Sequence, residues 1–139
     1  MTPLEFLQKG LKTHIRPSLI HGVGLFALDP IRKGDNPFIK WEGETDYYTL
    51  TYEEYSQLTP SVVSYILRSF GNNITDSSRD ISFKLTKGCN FLFSEPLALL
   101  NTGGKNGSID CTTGIALKDI EEGAEVLSNY GNFSQIHLI

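Results

Sequence analysis

The spacing of apolar positions changes character along the chain. In TPLEFLQKG, residues 2–10, and just beyond, Leu4, Leu7 and Leu11 recur near one face at helical spacing. Thr2 can cap such a helix, Pro3 suits its first position, Glu5 its first turn, and Gly10 stops it. A short helix docked on the domain is expected, with a dimer contact as the alternative. From Leu11 to Gly43 the pattern breaks into short apolar runs between turn residues. Ile15 starts one run, HGVG reads as a loop and LFAL as a strand. DPIRKGD reads as a turn, and NPFIKWEG as a further extended run.

Residues 45–71 differ. Thr51 and Glu54 form a capping-box pair. Pro60 interrupts the pattern, and Ser61 can cap a second helix. Val62, Val63, Ile66, Leu67 and Phe70 make its apolar stripe, and Gly71 ends it. GNNITDSSRD is loop. From Ile81 the period returns to two, with Ile81, Phe83 and Leu85 alternating against polar residues. An apolar run, LALL, then leads as a strand into Asn101, and glycine-rich turns divide the rest. The plan is mostly β, β+α in class, with a helical insert between two β-rich parts. It divides into an N-terminal helical extension, 1–13, and one domain, 14–139, with its insert at about 46–80.

Composition narrows the options. With 139 residues, one domain is expected, and 40% apolar with 20% charged residues allows a packed core. A net charge of −4 argues against direct nucleic-acid binding through phosphate neutralisation. It suits a basic protein partner, although solubility alone would account for it. Cys89 and Cys111 match no zinc spacing and give no disulfide framework, so they read as buried free thiols in a reducing, intracellular compartment. His14, His21 and His137 show no ligand spacing, so no metal is expected. No apolar run approaches the ~18 residues of a membrane span. The opening MTPLEFLQKGLKTH has no long apolar core, so no secretory signal is expected.

Three stretches could carry chemistry. Gly22 and Gly24 in HGVG remove two Cβ atoms, which lets backbone approach a ligand or simply makes a tight turn. Neither the dinucleotide fingerprint nor a phosphate loop is present. Asn101 can pin a polar ligand or cap a turn. Tyr130 follows the apolar pair Val126 and Leu127 and precedes Gly131, as a packed aromatic or a reacting group.

In order and spacing these stretches resemble the SET-domain protein methyltransferases. GVGLFALDPIRKGD, residues 22–35, is similar to the family's G-x-G and I-x-K-G-[ED] turn. Asn101 of NTGGKN matches the Asn of N-H-S-x-x-P-N. GAEVLSNYG, residues 123–131, resembles G-E-E-[LI]-x-x-x-Y-[GD]. The resemblance spans residues 15–132. It implies a SET fold of small β-sheets, a β-clip, with a C-terminal pseudoknot in which the Asn101 segment is threaded under the last motif. It implies S-adenosyl-L-methionine as cofactor and transfer of its methyl group to a protein lysine. By resemblance His21, Gly22, Val23, Gly24, Asn101, Thr102 and Tyr130 would hold the cofactor. Tyr130 would be the catalytic residue, and Ser128, Asn129 and Phe133 would border the lysine channel.

The departures from the family are specific. Thr102 and Gly103 replace its His and Ser, its Pro is absent, and Ala98 stands where many members have Arg. Ser128 replaces a tyrosine found in many members. These changes keep open a catalytically inactive SET-fold module that binds proteins or peptides. A non-enzymatic β-domain sharing only turn chemistry is the third option. Phe133 could wall the channel or anchor the terminus. Tyr47, Tyr48, Tyr52, Tyr55 and Tyr65 could line a peptide groove or simply pack. The zinc-binding tail of the family is missing, so a partner subunit, in a homodimer, could complete the peptide groove. The size resembles viral and bacterial members. The expected substrate is a histone or other basic protein with an exposed lysine, in the cytoplasm or a host nucleus.

Overall fold

The structure is a computed structural model and describes residues 1–70 and 79–129. In chain order its elements are α1 (Pro3–Gly10), β1 (Thr13–Pro17), β2 (Val23–Ala27), β3 (Asp46–Leu50), α2 (Tyr52–Tyr55), α3 (Pro60–Phe70), β4 (Ile81–Leu85), β5 (Asn101–Thr102) and β6 (Glu125–Ser128). Short 3-10 turns cover Pro96–Leu99 and Gly104–Asn106. The fold is β-rich, with few helices. The chain divides into two compact units: Met1–Leu11 with Ile39–Ser94, and Lys12–Phe38 with Glu95–Ile139.

The first unit packs its helices with an antiparallel hairpin, β3 against β4, in which Tyr48 faces Phe83 and Leu50 faces Ile81. The alternation in ISFKL does what its period requires, since Ile81, Phe83 and Leu85 are all fully buried. α1 carries a complete capping box: Glu5 N–H donates to Thr2 Oγ1 at 3.1 Å, and Thr2 N–H donates to Glu5 Oε1 at 3.3 Å. Its buried face is Phe6, Leu7 and Gly10, with Leu11 beyond it, while Leu4 is only half-buried. Phe6 meets Trp41 edge-on at 5.5 Å, and Trp41 meets Tyr48 at 5.4 Å. The Trp41 indole N–H is satisfied by the Glu44 carbonyl at 2.9 Å.

Four sequence expectations are corrected here. Residues 36–43 form no strand. Asn36 Oδ1 accepts from Phe38 N–H at 2.9 Å, which turns the chain, and beyond it Trp41 exchanges backbone bonds with Gly88 and Cys89. The insert opens with strand β3, whose Tyr47, Tyr48 and Thr49 favour a pleated strand once a partner exists. α3 begins at Pro60, so Ser61 lies inside it rather than capping it, and Pro takes the first turn, where its missing N–H costs nothing. Of its stripe only Val62 and Ile66 are buried. Gly71 lies outside the described residues. Cys89 and Cys111 are free but half-exposed rather than buried.

The second unit is a four-stranded sheet in the order β1–β2–β6–β5. β1 and β2 are antiparallel, with Ile15 opposite Leu25, and β2 is antiparallel to β6. β5 runs parallel to β6. Leu25, Ala27, Ile109 and Val126 fill its core. β2 already includes Val23 and Gly24, so the loop before it ends at Gly22. LALL is mostly 3-10 turn, not strand, and only two residues of β5 are extended. No helix among the described residues is long and apolar enough to cross a membrane.

The core makes a stability prediction. Phe83→Ala should destabilise the chain by about 3–5 kcal/mol, because it removes a fully buried ring. Thr2→Ala, which removes only a cap, should cost about 1 kcal/mol. Denaturant unfolding of both variants checks the order, and equal losses would contradict it.

Candidate functional site

The site forms where β2, β5 and β6 lie side by side. At the end of β6 the backbone is paired on both edges. On one edge Thr102 lies opposite Ser128, and Gly103 N–H donates to Ser128 O at 2.8 Å. On the other edge Ile109 N–H donates to Leu127 O at 2.9 Å, and Asn129 N–H donates to Ile109 O at 3.0 Å. Residues 103–108 must therefore cross over β6. Gly107 sits at the crossing, and a Cβ there would overlap the backbone of Ser128 and Asn129.

A polar network joins this crossing to the β1–β2 turn. Asn101 Nδ2 donates to Glu125 Oε2 at 2.8 Å, to His21 O at 3.1 Å and to Val23 O at 3.2 Å. The Ser18 hydroxyl donates to the same carboxylate, at 2.7 Å to Oε1 and 2.9 Å to Oε2. That hydroxyl in turn accepts from Ile20 N–H at 3.0 Å and His21 N–H at 3.4 Å. The turn is closed by Ser18 N–H donating to Gly22 O at 2.8 Å. Glu125 and Asn101 are both half-buried. Gly24 has room only because it lacks a side chain, since a Cβ there would run into the Glu125 carboxylate and the Asn101 amide.

The residues singled out in the sequence distribute as follows. His21 is exposed in the turn, Gly22 follows it at φ +49°, and Val23 opens β2 with 51% of its surface exposed. Their backbone converges on Asn101. Gly24 belongs to the same cluster, but the room it leaves is filled by Glu125. Thr102 is exposed, and its hydroxyl accepts from Gly104 N–H at 3.1 Å. Ser128 is buried between the two paired edges. Asn129 Oδ1 accepts from Cys111 N–H at 2.9 Å, which ties down the chain after the crossing. Tyr130 and Phe133 lie outside the described residues. Ser18 and Glu125 are site residues that the sequence reading did not single out as such. The available signals were a serine placed to accept N–H groups two and three residues on, and the glutamate of the GAEV motif.

Beyond the crossing, Asp110 organises a turn. Its carboxylate accepts from the Thr112 hydroxyl at 2.6 Å and from Thr112 N–H at 2.8 Å. These bonds, the hydroxyl first, hold its pKa below the ordinary aspartate value. Elsewhere, within the first unit, Met1, Ile39, Lys40, Trp41, Glu42 and Gly43 line a cavity of about 510 Å³, to which none of the site residues named in this section contributes. Among the described residues no group of three or more His, Cys, Asp or Glu could hold a metal ion.

No protein-family model matches the chain, and no curated protein matches it. Among solved structures, one match is a Plasmodium falciparum protein provisionally described as a histone methyltransferase. It is 17% identical, with 86% of this chain and 93% of that chain covered, at a TM-score of 0.35. A likeness that weak carries no argument about function.

Two predictions test the crossing and its turn. Gly107→Ala should cost about 3 kcal/mol or more, because its neighbours are main chain and cannot move aside. Gly22→Ala should cost only about 1 kcal/mol, the strain of its positive φ, since nothing lies within 4 Å of the added methyl. Equal losses in denaturant melts would contradict the crossing. A depressed Asp110 pKa stabilises the folded chain above the ordinary aspartate value of about 3.9, and that stability disappears as pH falls through the lower folded value. Asp110→Ala should therefore melt below wild type at neutral pH, with the gap closing in acid. A gap that persists unchanged in acid would count against the assignment.

Proposed function

We propose that this chain is a SET-type, S-adenosylmethionine-dependent protein-lysine N-methyltransferase. The observation that carries the reading is the convergence of three separated motifs. Asn101 donates to the backbone of His21 and Val23, about 80 residues earlier, and to Glu125 in the motif that leads to Tyr130. The crossing of residues 103–108 over β6 supports it too, because a threaded segment at Asn101 is what that family's pseudoknot requires.

The residues present suit such a cofactor. The carbonyls of His21 and Val23 and the Asn101 side chain supply polar groups at one spot. Above Gly22, nothing lies within 4 Å of where a Cβ would be, so a ligand can approach the backbone. His21, Gly22, Val23, Asn101 and Thr102 would hold the cofactor. Gly24 would support them from below, by making room for Glu125. S-adenosylmethionine, when bound, supplies a methyl group on a positively charged sulfur, open to in-line displacement by an amine.

The rest falls to this chain. A lysine amine has an ordinary pKa of about 10.4 and must arrive neutral. A channel of low polarity next to a positive charge favours that neutral form, and the proton can leave to water. Tyr130 orients the amine through its hydroxyl and need not act as a base, its ordinary pKa being near 10. The main task is alignment of amine, methyl and sulfur, which is a matter of positioning. The substrate we propose is a histone or another basic protein, to which a chain of net charge −4 is complementary. A homodimer is one way to complete its groove.

A second reading keeps the fold and drops the chemistry. Ser128, in place of a tyrosine, is 4% exposed and offers no aromatic wall to a lysine. One experiment separates the two. Calorimetry with S-adenosylmethionine and methyl transfer to basic proteins should give saturable binding and turnover in wild type. Tyr130→Phe should keep the binding and lose about 100-fold in turnover. Binding without wild-type turnover would favour the binding module, and no binding at millimolar cofactor would overturn the enzyme reading and favour a binding module or a purely structural domain.

A further inference from the structure

Asn101 is the side chain on which the candidate site converges, yet an amide can face either way. Its carbonyl accepts and its NH2 donates, and the two ends have nearly the same shape. Three acceptors surround one end: Glu125 Oε2, His21 O and Val23 O, at 2.8, 3.1 and 3.2 Å. Two N–H groups serve all three. The amide therefore cannot turn over without bringing its oxygen against three other oxygens. Oδ1 accepts no bond among the described residues. Asn101 thus presents an acceptor, and a ligand group that meets it must be a donor.

Of the three acceptors, two are backbone carbonyls of the turn, and one is a side chain that could swing away. What holds that side chain is Ser18. Its hydroxyl donates to both oxygens of Glu125 and is itself fixed by the N–H groups of Ile20 and His21. The Glu125 carboxylate meets no cation among the described residues, so neutral donors alone locate it. Gly24 completes the arrangement, since any side chain at that position would expel the carboxylate.

We infer that Glu125, propped by Ser18, is a positioning residue that fixes which end of the Asn101 amide faces a ligand. The prop couples the shape of the 18–22 turn to the orientation of Asn101. A loss at Ser18 should therefore reach Asn101 through Glu125, without Ser18 touching any ligand. What that ligand is rests on the proposed cofactor reading. The orientation of the amide does not.

The test uses nuclear magnetic resonance of the full chain, following the Asn101 side-chain NH2, assigned by its disappearance in Asn101→Asp. In wild type the two protons should be separated in shift and protected from exchange. Glu125→Ala should raise their exchange about tenfold or more, by removing a charge-assisted bond. Ser18→Ala should raise it less, and it perturbs the fold little if Glu125→Ala fails to fold. Glu125→Gln should largely restore protection, because Oε2 already accepts from both Ser18 and Asn101, and one amide oxygen can do the same. A merely structural role would not distinguish Gln from Ala in this way.

A second arm reads binding of S-adenosylmethionine by calorimetry. Glu125→Ala and Asn101→Ala should each weaken it about ten- to hundredfold, and the double variant should lose little more than either alone. Additive losses would overturn the inference. Unchanged Asn101 exchange in both Glu125→Ala and Ser18→Ala would also overturn it. If wild type binds no cofactor, the proposed function fails while the exchange result still decides the inference.

Discussion

The backbone of β6 cannot be left unpaired where it is buried, and a single segment of chain supplies partners to both its edges. Asn101, Thr102 and Gly103 take one side, Ser108 and Ile109 the other. That double pairing forces residues 103–108 across the strand and makes Gly107 indispensable on steric grounds alone. At the start of that segment the Asn101 amide reaches the β1–β2 turn directly, donating to His21 O and Val23 O. The polar network at Glu125 follows from the pairing. Glu125 faces Phe26 across β2 and β6, and the absence of a side chain at Gly24 lets its carboxylate reach Asn101 and Ser18.

The network has a chemical bias. Among the described residues, the groups that Asn101 meets are all acceptors: the Glu125 carboxylate and the carbonyls of His21 and Val23. The carboxylate is held by a hydroxyl and an amide, which keep it in place without neutralising it. Such an arrangement favours a ligand that brings donors or positive charge of its own, and both the ammonium and the sulfonium of S-adenosylmethionine are of that kind. The reading of the site as a methyl-transfer centre thus draws on the sequence motifs for identity and on the sheet for their assembly.

Local features were legible in the sequence, and non-local ones were not. The Thr51–Glu54 capping box and the Thr2 cap with Glu5 in its first turn are patterns over four positions and appear in the structure, where Thr2 and Glu5 also close a full capping box. The alternation of Ile81, Phe83 and Leu85 is likewise local. β3 was missed because its strand character depends on β4, more than 30 residues away, while the capping box beside it pointed to helix. LALL was read as strand because a short apolar run has no period of its own; Pro96 starts a 3-10 turn there instead. At the site, Asn101 and the glycines stood out as types suited to turns and ligands. Ser18 did not, since its partner Glu125 lies 107 positions away and no pattern spans that distance. Gly24 stood out as room for a ligand to approach, whereas in the structure the Glu125 carboxylate lies in that room.

The central claim is that the turn at 18–24 and the segment from Asn101 to Gly103 form one ligand site. The most direct test is to add S-adenosylmethionine to isotopically labelled protein and map which backbone amides shift. The account predicts shifts clustered at residues 18–24 and 101–103. Shifts confined to other residues, such as those lining the cavity at Ile39–Gly43, or none at millimolar ligand, would contradict it.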